Sequence, residues 1–241
     1  MKQAAALVLA MFSMACQSNS KEPLIPSIKA SPLTSKEGIV SNRGGENDQL
    51  TDNKKGDVNM DDKKTQTAIF AGGCFWCTEA FFTELKGVDK VVSGYIGGTT
   101  VNPTYREVCS GATGHAEAIQ ITFNPDEVAY EDLLQIFFAT HDPTTLNRQG
   151  ADEGTQYRSE IFYTSDSQKA AAENFIKLLT DQNIYEGKKI VTKISAAKKF
   201  YPAEEYHQDY YAQNSDQPYC RAVITPKLDK LKKNYKSKLK Q

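Results

Sequence analysis

The sequence predicts an α+β domain, a mixed sheet with its helices on one side, and two observations carry that prediction. Strand-like runs with period-two apolar spacing alternate with runs whose apolar residues recur every three or four positions. This alternation is confined to residues 65 to 241, and helices on one face of a sheet is the simplest architecture for it.

The elements follow in order. Thr67, Ala68, Ile69 and Phe70 read as a first strand. A helix is expected from Cys74 to about Lys86, with Cys77, Phe81 and Leu85 at helical spacing, Phe82 beside them, and Gly87 as its stop. A strand from Val88 to Ser93 ends in a glycine-rich turn at Gly94, Gly97 and Gly98. After a long loop, Ala118 to Phe123 alternates with Ile119, Ile121 and Phe123 on one face. Pro125 and Asp126 start a helix whose stripe is Tyr130, Leu133, Leu134, Phe137 and Phe138, ending before Pro143. Glu160 to Thr164 forms a further strand, followed by a helix opened by the capping-box pattern Ser165 to Gln168. Ile190 to Ile194 reads as the last strand. Lys227 to Lys240 reads as a basic helix that packs Leu228, Leu231 and Tyr235 on the domain and keeps its lysines in water.

The chain before this domain has a different character. Residues 1 to 16 run from Lys2 through an apolar stretch, Ala4 to Met14, into Ala15 and Cys16. This is too short to span a bilayer and has the layout of an export signal. Cysteine directly after the apolar run resembles a bacterial lipobox, although Ser13 and Met14 depart from its usual residues. The expectation is an exported protein of the cell envelope or periplasm, lipid-anchored at Cys16; the alternative is an ordinary cleaved signal. Residues 17 to 64 are polar and nearly without aromatic residues, so they cannot bury enough surface to offset their ordering entropy and read as a tether. With 29 basic and 30 acidic residues mixed along the chain, nothing electrostatic points to nucleic acid.

The chemistry centres on Gly72-Gly73-Cys74-Phe75-Trp76-Cys77. A strand entering a helix here puts Cys74 at a helix N-terminus, where unpaired N–H groups and the helix dipole favour a thiolate. Phe75 and the chain's single tryptophan set an apolar surface beside the sulfur. The loops hold Asn102-Pro103-Thr104-Tyr105, Gly114-His115-Ala116-Glu117-Ala118, the block Gly150 to Arg158, and the block Phe200 to Gln208.

Taken together and in this order, these blocks resemble the peptide methionine sulfoxide reductase A family, from about Thr67 to Pro226. The resemblance implies a two-layer sandwich with a ferredoxin-like core and long catalytic loops. It also implies that Cys74 attacks the sulfoxide sulfur and becomes a sulfenic acid. Glu117 matches the acid that protonates the sulfoxide oxygen; on the residue alone it reads as an exposed charge at a strand start. Tyr105 and Tyr157 match hydroxyl donors to that oxygen, Asp152 a supporting polar residue, and Phe75 with Trp76 the pocket for the substrate's S-methyl group.

Two thiols stand as candidates to resolve the sulfenic acid. Cys220, in Gln217-Pro218-Tyr219-Cys220, corresponds to the family's C-terminal recycling cysteine and is preferred because a loop position can adapt its approach. Cys77, where other members have glycine, is the other. Cys109 reads as structural and buried. The family's substrates are oxidised proteins or peptides and free methionine sulfoxide, and its expected electron donor is a thioredoxin-like dithiol. No bound cofactor or metal is expected, and a monomer is. Two other classes compete: a thioredoxin-like dithiol-disulfide oxidoreductase, and a zinc module using Cys74, Cys77 and His115. A non-catalytic envelope-binding lipoprotein is the bland alternative.

Overall fold

The computed structural model describes Ile25 and residues 64–241; the signal, Cys16 and the rest of the tether reading lie outside the described residues. Strand β1 (Gln66–Gly72) leads into helix α1 (Phe75–Thr83), followed by β2 (Val88–Ile96), the short α2 (Tyr105–Cys109), β3 (Ala116–Phe123) and α3 (Tyr130–Thr140). A small hairpin, β4 (Arg148–Gln149) and β5 (Asp152–Glu153), precedes β6 (Ser159–Tyr163), α4 (Asp166–Asp181), β7 (Lys193–Ala196), β8 (Tyr201–Pro202), α5 (Tyr210–Asn214) and α6 (Thr225–Asn234). The six-stranded sheet has the order β7-β6-β1-β3-β2-β8. Its four central strands are antiparallel and, with α1 and α3 as crossovers, give the split β-α-β pattern of a ferredoxin-like core. Only β6 and β7 run parallel, which makes the sheet mixed.

Alternation sorts the two faces. Ala68, Phe70, Ile119, Ile121 and Phe123 meet Phe81, Phe82, Phe137 and Leu179 from the helices in the main core. Phe70 stacks on Phe137 with ring centroids 4.9 Å apart, joining β1 to α3. Ile69, Ala71, Ala116, Ala118 and Phe162 form a smaller cluster on the opposite face.

Several boundaries differ from the sequence expectation for identifiable reasons. Strand β2 does not stop at Gly94 but continues to Ile96, because β8 pairs there and a Cβ on Gly94 would lie 2.4 Å from the Tyr201 carbonyl oxygen. The loop before β3 contains α2, closed by a capping box in which Thr104 and Glu107 bond each other's backbone N–H groups. Helix α3 starts at Tyr130 and not at Pro125, because Asn124 turns the chain first, its side chain accepting the Asp126 N–H at 3.0 Å. At α4, Ser165 caps the Gln168 N–H, but the Gln168 side chain bonds Thr164 and the Thr67 carbonyl instead of closing a box. The last long strand lies over Lys193–Ala196, later than expected, since Val191 is engaged by the Pro143 carbonyl. The basic helix is shorter than expected and begins earlier, at Thr225, with Leu228 and Leu231 buried.

Two cysteine placements are corrected. Cys109 is exposed, because it ends α2 on the outer side. Cys220 is not in a loop: it opens a π-helical turn, Cys220–Ile224, and is fully buried. Ile25 is also buried in the main core, its carbonyl accepting bonds from Gln135 of α3 at 3.0 Å and from the Tyr235 hydroxyl at 3.3 Å.

Candidate active site

The site forms where β1 ends and α1 begins. Gly73 sits at φ +98°, in the left-handed region, and a Cβ there would lie 2.6 Å from the Gln149 side chain. Gln149 is itself clamped, its amide bonding the N–H and carbonyl of Asp142. This sharp turn makes Cys74 the N-cap of α1, as expected, with the next three residues on the helix's first turn.

The N–H of Phe75 donates to Oε2 of Glu117 at 3.1 Å, so the carboxyl group touches the start of the nucleophile's helix. Glu117 is 1% exposed, on β3 in line with Ile119, Ile121 and Phe123. Burial pushes its pKa up to about 8; the Phe75 N–H opposes this, while the charges of Asp152 and Cys77 add to it. Glu117 is therefore a buried neutral acid at neutral pH, not an exposed charge.

The two thiols lie within reach of each other. The bond to Cys77, burial and the neighbouring Glu117 together hold the Cys74 thiol protonated, opposite to the direction that the helix start alone favours. Cys77 moves the other way: the bond from Cys74 lowers its pKa against burial, with help from the Lys227 charge. The Tyr219 hydroxyl lies 3.7 Å from the Cys77 sulfur and donates to Asp152 at 2.9 Å. These contacts push the two thiols apart in acidity, with Cys77 the more acidic of the pair.

The aromatic residues gather as expected and bring others that sequence reasoning left without roles. Rings pack around Phe75: Tyr105 stacks at 6.3 Å and His207 tilts at 5.1 Å. Trp76 lies flat on Tyr210, centroids 3.7 Å apart and planes 9° apart, and its indole N–H donates to His207 Nδ1 at 3.1 Å. Burial lowers the His207 pKa, consistent with that accepting role. Glu204 accepts the Tyr105 N–H at 2.9 Å and the Tyr95 hydroxyl at 2.8 Å, which fixes the start of α2. Burial and the charge of Glu117 push the pKa values of both Tyr105 and Tyr157 up, so their hydroxyls stay donors.

Cys220 is enclosed in the turn that opens at its own position. Burial raises its pKa, and the Cys77 thiol is the charge that adds to this. His115 is committed elsewhere, accepting the Gly98 N–H and donating to the Thr100 carbonyl at 2.8 Å, which removes it as a zinc ligand with Cys74 and Cys77. Only the block Phe200 to Gln208 signalled His207 and Glu204 in advance; Tyr210 and Tyr219 carried no local signal.

Known proteins resemble this chain over most of the described domain. The MsrA peptide methionine sulfoxide reductase of Deinococcus radiodurans is 57% identical over 175 residues, which cover 73% of this chain and 84% of that protein. That of Chromobacterium violaceum is 54% identical over 170 residues, 70% of this chain and 96% of that protein. Among solved structures, methionine sulfoxide reductase A of Corynebacterium diphtheriae superposes with a TM-score of 0.60 at 34% identity, over 65% of this chain and 78% of that one. Reduced Mxr1 of Saccharomyces cerevisiae gives 0.58 at 36% identity, over 66% of this chain and 91% of that one. A family model described as peptide methionine sulfoxide reductase matches residues 66–239, and this chain belongs to that family.

Proposed function

We propose that this protein reduces the S epimer of methionine sulfoxide, in peptides, proteins and the free amino acid, through a sulfenic acid and then a disulfide. The observation that carries this reading is the buried, neutral Glu117 bonded to the first N–H of the helix that Cys74 caps. A neutral carboxylic acid can deliver a proton to the sulfoxide oxygen as the sulfur is attacked.

Cys74 loses its thiol proton to solvent and attacks the sulfoxide sulfur, forming a transient S–S bond, while Glu117 protonates the oxygen. The sulfoxide S–O bond and the transient S–S bond break as the hydroxyl passes to the Cys74 sulfur, so methionine leaves and Cys74 becomes a sulfenic acid. Tyr105 and Tyr157 donate to the oxygen, and Phe75 with Trp76 holds the methyl group. Cys77 then attacks the Cys74 sulfur, forming a disulfide and releasing water, and a thioredoxin-like dithiol reduces that disulfide. The contact between the thiols favours Cys77 as first resolver over Cys220, which is buried in a helical turn.

One experiment tests both parts. The reduced enzyme is mixed with epimerically pure S- or R-sulfoxide peptide without reductant, quenched, and its disulfides mapped. About one equivalent of methionine from the S epimer alone, with a Cys74–Cys77 bond, is expected. Equal turnover of the R epimer would overturn the substrate reading. A first-formed Cys74–Cys220 bond would return the resolving role to Cys220.

The position of Cys16 after an apolar run supports export with a lipid anchor there. Intact mass of the protein purified from membranes of an expressing bacterium is expected to show a lipid-modified N-terminal Cys16. A free N-terminus beyond Cys16 would mean simple secretion.

A further inference from the structure

Helix α1 carries, one turn beyond Trp76, a carboxyl group that the reaction does not use. Glu79 is only 2% exposed. Its Oε2 accepts the Tyr210 N–H at 3.3 Å, while its Oε1 is buried with no hydrogen-bond partner. The hydroxyl of Ser93, on β2, lies close enough to favour the ionised carboxylate, yet it too has no partner at full hydrogen-bond distance. A buried acid is costly to retain unless its bonds accomplish something.

Those bonds grip one turn. Asp209 adopts φ +50°, a left-handed conformation that a non-glycine residue holds only when its surroundings impose it. The N–H of Tyr210 bonds the Glu79 carboxyl group, and that of Asp209 lies close enough to favour the ionised carboxylate. The same stretch of chain supplies both supports of Trp76: the Tyr210 ring beneath the indole and the His207 nitrogen that accepts its N–H. Gln208, between them, is fastened separately to Ser93 and Ala203. Glu79 is therefore the group on α1 that fixes Tyr210 against Trp76.

We propose that Glu79 is a positioning residue for substrate binding: its carboxylate holds the Asp209–Tyr210 turn, which keeps Trp76 seated as the wall of the methyl pocket. This rests on the reading of Trp76 as that wall. The groups facing the carboxyl are Ser93 from β2 and Asp209 with the two N–H groups from the turn. Burial raises the Glu79 pKa to about 7, and the Asp209 charge adds to this while the N–H and hydroxyl groups oppose it. The grip is then strongest in the ionised form and loosens as pH falls through neutrality.

The single tryptophan makes the wall visible by fluorescence. In the reduced full-length enzyme, Trp76 emission is expected to shift with a midpoint near the Glu79 value, and the shift is expected to be absent in Glu79→Gln. With a neutral N-acetyl methionine S-sulfoxide amide, Glu79→Gln is expected to raise KM about tenfold at about pH 8 while the single-turnover rate changes less than about twofold. Lowering the pH of the wild type to about 6 is expected to raise KM in the same direction. Unchanged KM in Glu79→Gln, or an emission shift that persists in it, overturns the proposal; a persistent shift would belong to His207. Should that variant fail to fold, a flat wild-type emission and KM across this pH range is the overturning result. Trp76→Ala separates the premise: if it leaves KM unchanged, the wall reading fails, whereas a raised KM there with a normal Glu79→Gln sinks only the role of Glu79.

Discussion

Cys74→Ser is expected to abolish sulfoxide reduction, with turnover falling at least about 10⁴-fold, to the limit of a chromatographic methionine assay. The hydroxyl is a far poorer nucleophile than a thiolate and cannot take up oxygen as a sulfenic acid. The fold has no reason to change. Cys74 is partly exposed at the N-cap, and serine is a better N-cap than cysteine, so the melting temperature is expected to hold or rise slightly. That combination separates chemistry from stability. Turnover retained in the serine variant would remove Cys74 from the reaction, whatever its position.

Glu117→Gln is expected to slow the single-turnover reductive step by roughly 100-fold or more while changing KM little, since the amide keeps the shape but has no acidic proton. It is also expected to stabilise the protein above neutral pH. The folded-state pKa of about 8 lies above the ordinary 4.5, so between these values the native state holds a proton that the unfolded chain has released. Stability contributed by the neutral acid is present below about 4.5 and is lost as pH rises through about 8, at up to about 1.4 kcal/mol per pH unit. Chemical denaturation across this window is expected to show a shallower decline in the glutamine variant than in the wild type. Parallel curves would mean that Glu117 is not the buried neutral acid described above, and an unchanged reductive rate would remove its role as proton donor.

The parts of this enzyme that follow local chemistry were legible in its sequence. A strand, two glycines and an apolar helix fix Cys74 at an N-cap. The alternation through Ile119, Ile121 and Phe123 was legible too, but Glu117 one step before it reads alone as an exposed charge, and only the pairing of β3 between β1 and β2 buries it. Helix α2 escaped because five residues show no period, leaving Thr104-x-x-Glu107 as its one sign. The π-helical turn at Cys220 escaped for a similar reason: its spacing matches neither strand nor α-helix. Glu79 on α1 reads locally as a solvated charge, and only the return of the chain at Tyr210, 131 residues later, buries it. Tyr219 meets Cys77 across 142 residues and Asp152 across 67, separations at which a single sequence carries no signal.

The register of the central strands has a bearing on what descendants of this chain are free to change. Tyr95 stands opposite Glu117 and Phe70 opposite Ile119, so the acid is located by the ladder and not by the loops that lead to it. A slip of one residue would turn Glu117 to the face of Ala116 and Ala118, taking the acid away from the helix it serves. Insertions between β2 and β3 that preserve the register leave Glu117 beside the start of α1 and alter the loop that carries Tyr105. Heritable variation in that stretch therefore falls on the surroundings of Tyr105, while the buried carboxyl group is inherited with the sheet.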